Sequence, residues 1–127
     1  MNSKKFESIM ALAPQKRYDY FIKKIADAQQ LWTIVDSEGN YAISMIDKHS
    51  LISFWPEEEF IASNLEENWE DYKPLLLTLD DLSDNVIDYI AQEGLLINVF
   101  PLNGRSGFVV DLEEFSRDLT TELKNYE

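Results

Sequence analysis

The 127-residue chain contains no cysteine, and that one absence removes several chemistries. A disulfide framework, a thiolate-ligated zinc, an iron–sulfur cluster and a thiol nucleophile all need the sulfur. Histidine occurs once, at His49, so neither a two-histidine metal site nor a histidine relay can be built within the chain. Glycine and proline are scarce, four of each, and no Pro/Gly/Ser-rich linker or low-complexity tract divides the sequence. No apolar run approaches the ~18 residues needed to span a bilayer. Cations are also few: 11 Lys and Arg stand against 24 Asp and Glu, a formal charge of −13. Direct binding to nucleic acid or to an anionic membrane is therefore not expected, since both demand cations facing phosphate.

What is present suits one globular domain, because a chain of this length split in two would leave each half a poor core. The apolar fraction is 45%, with three Trp, six Tyr and seven Phe, which argues against disorder. Lys4 and Lys5 precede an apolar stretch, but Glu7 and Ser8 interrupt it too early for a signal peptide. Phe6, Ile9, Met10 and Ala13 fall at helical spacing instead, predicting a short peripheral helix over residues 3–12 and a cytoplasmic protein. Pro14 marks a second helix start, with Tyr18, Phe21, Ile22 and Ile25 as its apolar stripe and Lys16, Arg17, Lys23 and Lys24 outside it.

The period then shortens. Residues 31–35, 41–46 and 51–55 are aromatic and β-branched, separated by Asp36-Ser37-Glu38-Gly39-Asn40 and by Asp47-Lys48-His49-Ser50. They read as a meander, with Gly39 and Asn40 as the turn residues that tolerate positive φ. Pro56 opens a helix over 56–70 with Ile61, Leu65, Trp69 and Tyr72 on one face, and Pro74 ends it. Residues 75–78 predict a buried strand, and Thr78 with Asp81 a capping box for a helix over 79–92 that buries Leu79, Leu82, Val86 and Ile90. Strands follow at 95–100 and 107–110, and Asp111 with Glu114 starts the last helix. The fold class is α+β: one mostly antiparallel sheet of about five to six strands with helices packed on it, in a single domain over residues 1–127. Trp32, Trp55 and Trp69 are assigned to the core, with Trp55 and Tyr72 partly exposed at element ends.

No motif assigns a reaction. His49 between Asp47 and Ser50 lies in a turn, and no Gly-x-Ser-x-Gly elbow accompanies it. Asn103-Gly104-Arg105-Ser106-Gly107 lacks the Lys-Ser/Thr tail of a phosphate loop and leads into a strand. The same stretch holds the Gly-x-x-Gly of an RNA-binding loop, which carries no weight in so acidic a chain. Asp36, Glu38 and Asp47 have an EF-hand length, but Gly39 stands at the wrong loop position. No catalytic residue, cofactor or metal ligand is expected.

The placement of charge is more informative. Residues 1–30 hold six cations and three anions, whereas residues 31–127 hold five and 21. Within 57–93 there are twelve acidic residues and one cation, Lys73. Pairs such as Glu66/Glu70, Glu67/Asp71, Asp80/Asp84 and Asp84/Asp88 set like charges four apart on a helix, each costing ~0.2–0.5 kcal/mol. Such a face is either simply solvated or meets a cationic partner. The second reading makes Glu66, Glu67, Glu70, Asp71, Asp80, Asp81, Asp84 and Asp88 the contact residues of a non-enzymatic interaction module for a basic protein. The alternative is a small-molecule or enzymatic cleft between sheet and helices using Arg17, His49 or Arg105.

Arg17-Tyr18-Asp19-Tyr20-Phe21, Leu31-Trp32-Thr33-Ile34 and Phe54-Trp55-Pro56 follow one another, then Ala62, Trp69, Tyr72 and Pro74. Val99-Phe100-Pro101 and Gly107-Phe108-Val109-Val110 complete the series. In this order they resemble the small bacterial family known as domain of unknown function 2750, over about residues 10–120. Gly39-Asn40-Tyr41 departs from it, where a glycine followed closely by tryptophan is expected. The resemblance implies a single domain of bacterial cytosolic origin, and it transfers neither an activity nor site residues.

Overall fold

A computed structural model describes residues 2–64, 71–102 and 107–126. Helices α1 (Ser3–Met10) and α2 (Pro14–Ala28) come first, then strands β1 (Gln30–Val35), β2 (Ile43–Ile46) and β3 (His49–Phe54). Helix α3 (Glu58–Asn64) and strand β4 (Lys73–Thr78) follow. The helix over 79–93 has three parts: α4 (Leu79–Asp81), a π segment (Leu82–Val86) and α5 (Ile87–Glu93). Strands β5 (Leu96–Val99) and β6 (Phe108–Val110) precede α6 (Leu112–Leu123), which ends in a 3₁₀ turn, Lys124–Tyr126.

The helix ends follow local chemistry. Asn2 caps α1 by accepting the Lys5 N–H at 2.8 Å, and Pro14 stands in the first turn of α2, where a missing N–H costs nothing. The Thr78–Asp81 capping box forms in both directions, each bond 3.0 Å, and Asp111 accepts the Glu114 N–H at 2.8 Å to start α6. Gly94, at φ 64°, ends α5 in the left-handed conformation that suits glycine.

The α+β expectation holds, but the strands divide into a four-stranded sheet, β2-β3-β5-β6, and a two-stranded sheet, β1-β4. Three of the four strand pairs are antiparallel, and β3 with β5 is parallel. The split has a visible cause. Beyond the turn, the chain pairs with β1 only at Tyr41 opposite Val35, with the Ala42 N–H bonded to the Ile34 carbonyl; from Ile43 it pairs with β3 instead. The two sheets meet again where Trp32 and Trp55 exchange both backbone hydrogen bonds at 2.9 Å. In the first turn Gly39 takes φ 86°, Asn40 does not take positive φ, and Asp36 Oδ1 accepts the N–H groups of Glu38 and Asn40, each at 2.9 Å. The second turn is only two residues long, Asp47 and Lys48, both at positive φ, so His49 and Ser50 belong to β3.

Ile52 and Phe54 of β3 and Ile97 and Val99 of β5 are buried with Phe21, Ile25 and Phe115 from α2 and α6. Phe115 contacts Phe54 and Phe21, with ring centroids 6.1 and 6.2 Å apart. A second aromatic group joins α1 to the end of β5: Phe6 stacks on Phe60, which meets Phe100 at 4.6 Å. Trp55 is fully buried rather than partly exposed, because its indole N–H reaches the Pro101 carbonyl at 2.9 Å and leaves no polar tip to hydrate. Trp32 and Tyr72 are half-buried, whereas Trp69 lies outside the described residues. Strand β4 is an edge strand, with Leu77 buried, Leu75 half-buried and Leu76 exposed; Pro74 is tolerated there because an edge has one unpaired side.

Arg17 is also inside, not outside, the stripe of α2. It is 1% exposed, and Nη1 donates to the Leu12 carbonyl at 2.5 Å, tying the α1–α2 joint to the helix. The stem follows the apolar face because Arg17, Phe21 and Ile25 are four residues apart.

Candidate functional site

The helix over 79–93 buries Leu82, Val86 and Ile90, which fixes what it turns outward: Asp80, Asp81, Asp84 and Asp88 are all exposed. The apolar contacts hold the backbone while a π turn, closed by the Ile87 N–H on the Leu82 carbonyl, widens the helix around Asp84. Asp71, in the turn before β4, is exposed too. Glu66, Glu67 and Glu70 lie outside the described residues, as does Arg105.

None of these five aspartates forms an ion pair among the described residues. Ion pairs occur elsewhere, between Lys24 and Glu57 at 3.4 Å and between Arg117 and Asp118 at 4.0 Å. Asp81 is partly committed, since its carboxylate caps Thr78. The acidic helix also borders the segment leading into β2: Tyr89 packs on Tyr41 with centroids 5.1 Å apart. Burial, and next the Asp81 charge, hold the Tyr41 phenol above its ordinary value.

Several open grooves border the helices. The first, about 310 Å³, runs between α2 and α6 and is lined by Tyr18, Asp19, Ile22, Lys23, Phe108, Glu114 and Asp118, among others. A second, about 480 Å³, is lined by Lys5, Lys24, Gln30, Trp32, Glu57 and Glu58, among others. A third, about 160 Å³, is mainly apolar and lies between the 79–93 helix and α6. Neither Arg17 nor His49 lines any of the three; His49 is exposed at the start of β3. Among the described residues no group of three or more His, Asp or Glu side chains could hold a metal ion, and no helix is long and apolar enough to cross a membrane.

The polar groups of the first groove satisfy one another. Tyr18 donates to Asp118 Oδ2 at 2.6 Å, and burial, then that bond, push the phenol well above its ordinary 10.0. Tyr20 is raised in the same way, by burial and then by the Glu57 charge, and donates to Glu57 Oε1 at 3.0 Å. A tyrosine that keeps its proton in the folded state and loses it near 10.0 in the unfolded state makes unfolding more favourable at alkaline pH. Stability should therefore be unaffected by these groups up to about pH 10 and fall above it. Tyr18→Phe should lose ~1 kcal/mol at neutral pH, where the hydrogen bond is removed. The variant should then decline less steeply than the wild type above pH 10, a difference that melting curves across pH 8–11 would detect.

Two features escaped the sequence reading. One is the burial of Arg17, for which the four-residue spacing from Phe21 is the signal that opposes its charge. The contact between Tyr41 and Tyr89 joins segments far apart in the chain, and no local pattern announces it.

The curated proteins include no match to the chain. Residues 18–119 match the family described as protein of unknown function (DUF2750), a span that runs from α2 through most of α6. The chain therefore belongs to the DUF2750 family.

Proposed function

We propose that this protein is a cytoplasmic, non-enzymatic interaction module that presents the acidic face of its 79–93 helix to a basic partner protein. One observation carries the reading: Asp80, Asp84 and Asp88 are exposed along one helix with no cation paired to them among the described residues, although the first 30 residues hold six cations. Concentrating like charge is unfavourable for the helix itself, so a partner that neutralises it gains both attraction and relief of repulsion. A field of one sign also speeds encounter with an oppositely charged surface. Glu66, Glu67, Glu70 and Asp71 extend the same acidic stretch of sequence.

The alternative, a ligand cleft between sheet and helices, has less support. Tyr18 and Asp118 in the 310 Å³ groove are already bonded to each other, and of the residues proposed for such a cleft Arg17 and His49 do not line it.

Replacing Asp80, Asp84 and Asp88 together with asparagine separates a functional face from a merely solvated one. The variant should be more stable than the wild type by ~0.2–0.5 kcal/mol for each repulsive pair removed. It should also fail to retain the partner that wild-type protein captures from a host lysate at low salt. Stabilisation with capture unchanged would mean that the face is only solvated.

A further inference from the structure

The two sheets have four edge strands; β1 is bridged on its outer side at Trp32–Trp55 and Val35–Tyr41, and the other three edges differ. Strand β4 carries Lys73 and Pro74, two residues that discourage further pairing, and β6 is only three residues long. The segment 41–46, Tyr-Ala-Ile-Ser-Met-Ile, has no charge, no proline and no glycine. Met45 is 64% exposed and Ile46 37%.

Its backbone has one free side. The two-residue turn makes Ile46 and His49 a hydrogen-bonded pair, so Ile46 and Ser44 direct their backbone groups toward β3. Ala42 points the same way, with its N–H on the Ile34 carbonyl. By alternation, the N–H and C=O groups of Tyr41, Ile43 and Met45 face away from both β1 and β3, where no described strand lies. At one end of this edge, Tyr41 packs on Tyr89 of the acidic helix, close enough for Asp81 to act on its phenol.

We infer that the 41–46 edge binds an extended segment of a basic partner as an added antiparallel strand, with the segment's cationic end placed against Asp81, Asp84 and Asp88. The inference rests on the acidic-face reading for the sign of the partner's charge, and on the open edge for its conformation. Main-chain bonds to Tyr41, Ile43 and Met45 supply the attachment, and Met45 offers apolar contact to alternate side chains. A second copy of this chain is disfavoured as occupant, since it would bring a further net charge of −13 to the same face.

The probe is the blocked peptide acetyl-TVTVTVKK-amide, whose lysines reach the acidic helix only when it runs antiparallel to the edge. Hydrogen exchange of the complex should show new protection at the Tyr41, Ile43 and Met45 amides and none added at Ser44 and Ile46. Met45→Pro removes one outward N–H without touching the bonds to β3, and should weaken binding about tenfold. The Asp80/Asp84/Asp88→Asn variant should weaken it about threefold and flatten its salt dependence. Melting curves establish that each variant is folded, and the exchange pattern of the wild type decides the matter if Met45→Pro is not. Binding lost only in the asparagine variant would leave the acidic-face reading standing and overturn the added strand. Binding lost only in Met45→Pro would support the strand and overturn the acidic-face reading. No binding at millimolar peptide, protection without alternation, or self-association through this edge would overturn the inference.

Discussion

Trp55→Ala should destabilise the protein by ~3–5 kcal/mol, as expected for removing the largest type of side chain from a closed core. Trp55 is 1% exposed, and its indole N–H is bonded to the Pro101 carbonyl at 2.9 Å. Its backbone also makes both hydrogen bonds of the bridge to Trp32, which links the two-stranded sheet to the four-stranded one. Alanine would preserve that bridge in principle, but it would open a cavity at the junction and leave the Pro101 carbonyl without its donor. Against a typical total of ~5–15 kcal/mol, the variant should be partly unfolded at 37 °C. Trp55→Phe should fall between the two, since it fills much of the volume and lacks only the N–H. Denaturant unfolding of the three proteins checks the order, and a loss below ~1 kcal/mol for alanine would show that the junction does not depend on this side chain.

Gly107→Ala should be comparably damaging, by ~3 kcal/mol or more, and for a different reason. A Cβ at Gly107 would lie 2.1 Å from the Val99 carbonyl oxygen, 2.7 Å from its carbon and 2.8 Å from Asn98 Oδ1. Two of those atoms are backbone of β5, so the neighbour cannot rotate away as a flexible side chain would. The same residue donates its N–H to Asn98 Oδ1 at 2.8 Å, and displacing it breaks the bond that leads the chain into β6. Gly39 and Gly94 make a useful contrast: both have positive φ, 86° and 64°, and nothing stands within 4 Å of a Cβ at either. At those positions backbone conformation selects glycine, whereas at Gly107 it is close approach. Amide exchange should be faster in β6 of the alanine variant, while α1 and α2 should be little affected.

Much of this architecture was legible because it is local. The capping box at Thr78, Pro14 in the first turn of α2 and Gly94 at the end of α5 all act within four residues and stand where the pattern places them, while Asp111 starts α6 as a one-way cap that accepts the Glu114 N–H. The apolar period likewise identified Leu82, Val86 and Ile90 as buried, with Leu79 only half-buried at the helix start, and so left Asp80, Asp81, Asp84 and Asp88 outside. Features set by distant contacts were not legible. Nothing near Ala42 in sequence says that the strand leaves β1 for β3, and nothing near Trp55 says that Pro101 will accept its N–H. Arg17 is an intermediate case: its spacing put it on the buried face, but its charge argued for water, and the Leu12 carbonyl settled the contest. The acidic site was thus readable as a set of residues, but its neighbour, the open edge at Tyr41–Ile46, was not.

The central claim is that the acidic helix is a binding surface, and the salt dependence of association tests it most directly. With the captured partner purified, its affinity for wild-type protein should fall steeply as ionic strength rises from ~10 mM to ~150 mM, where the screening length shortens from ~30 Å to ~8 Å. The Asp80/Asp84/Asp88→Asn protein should bind more weakly at low salt and respond much less to added salt. Equal affinities for the two proteins, falling together or not at all across that range, would contradict the account.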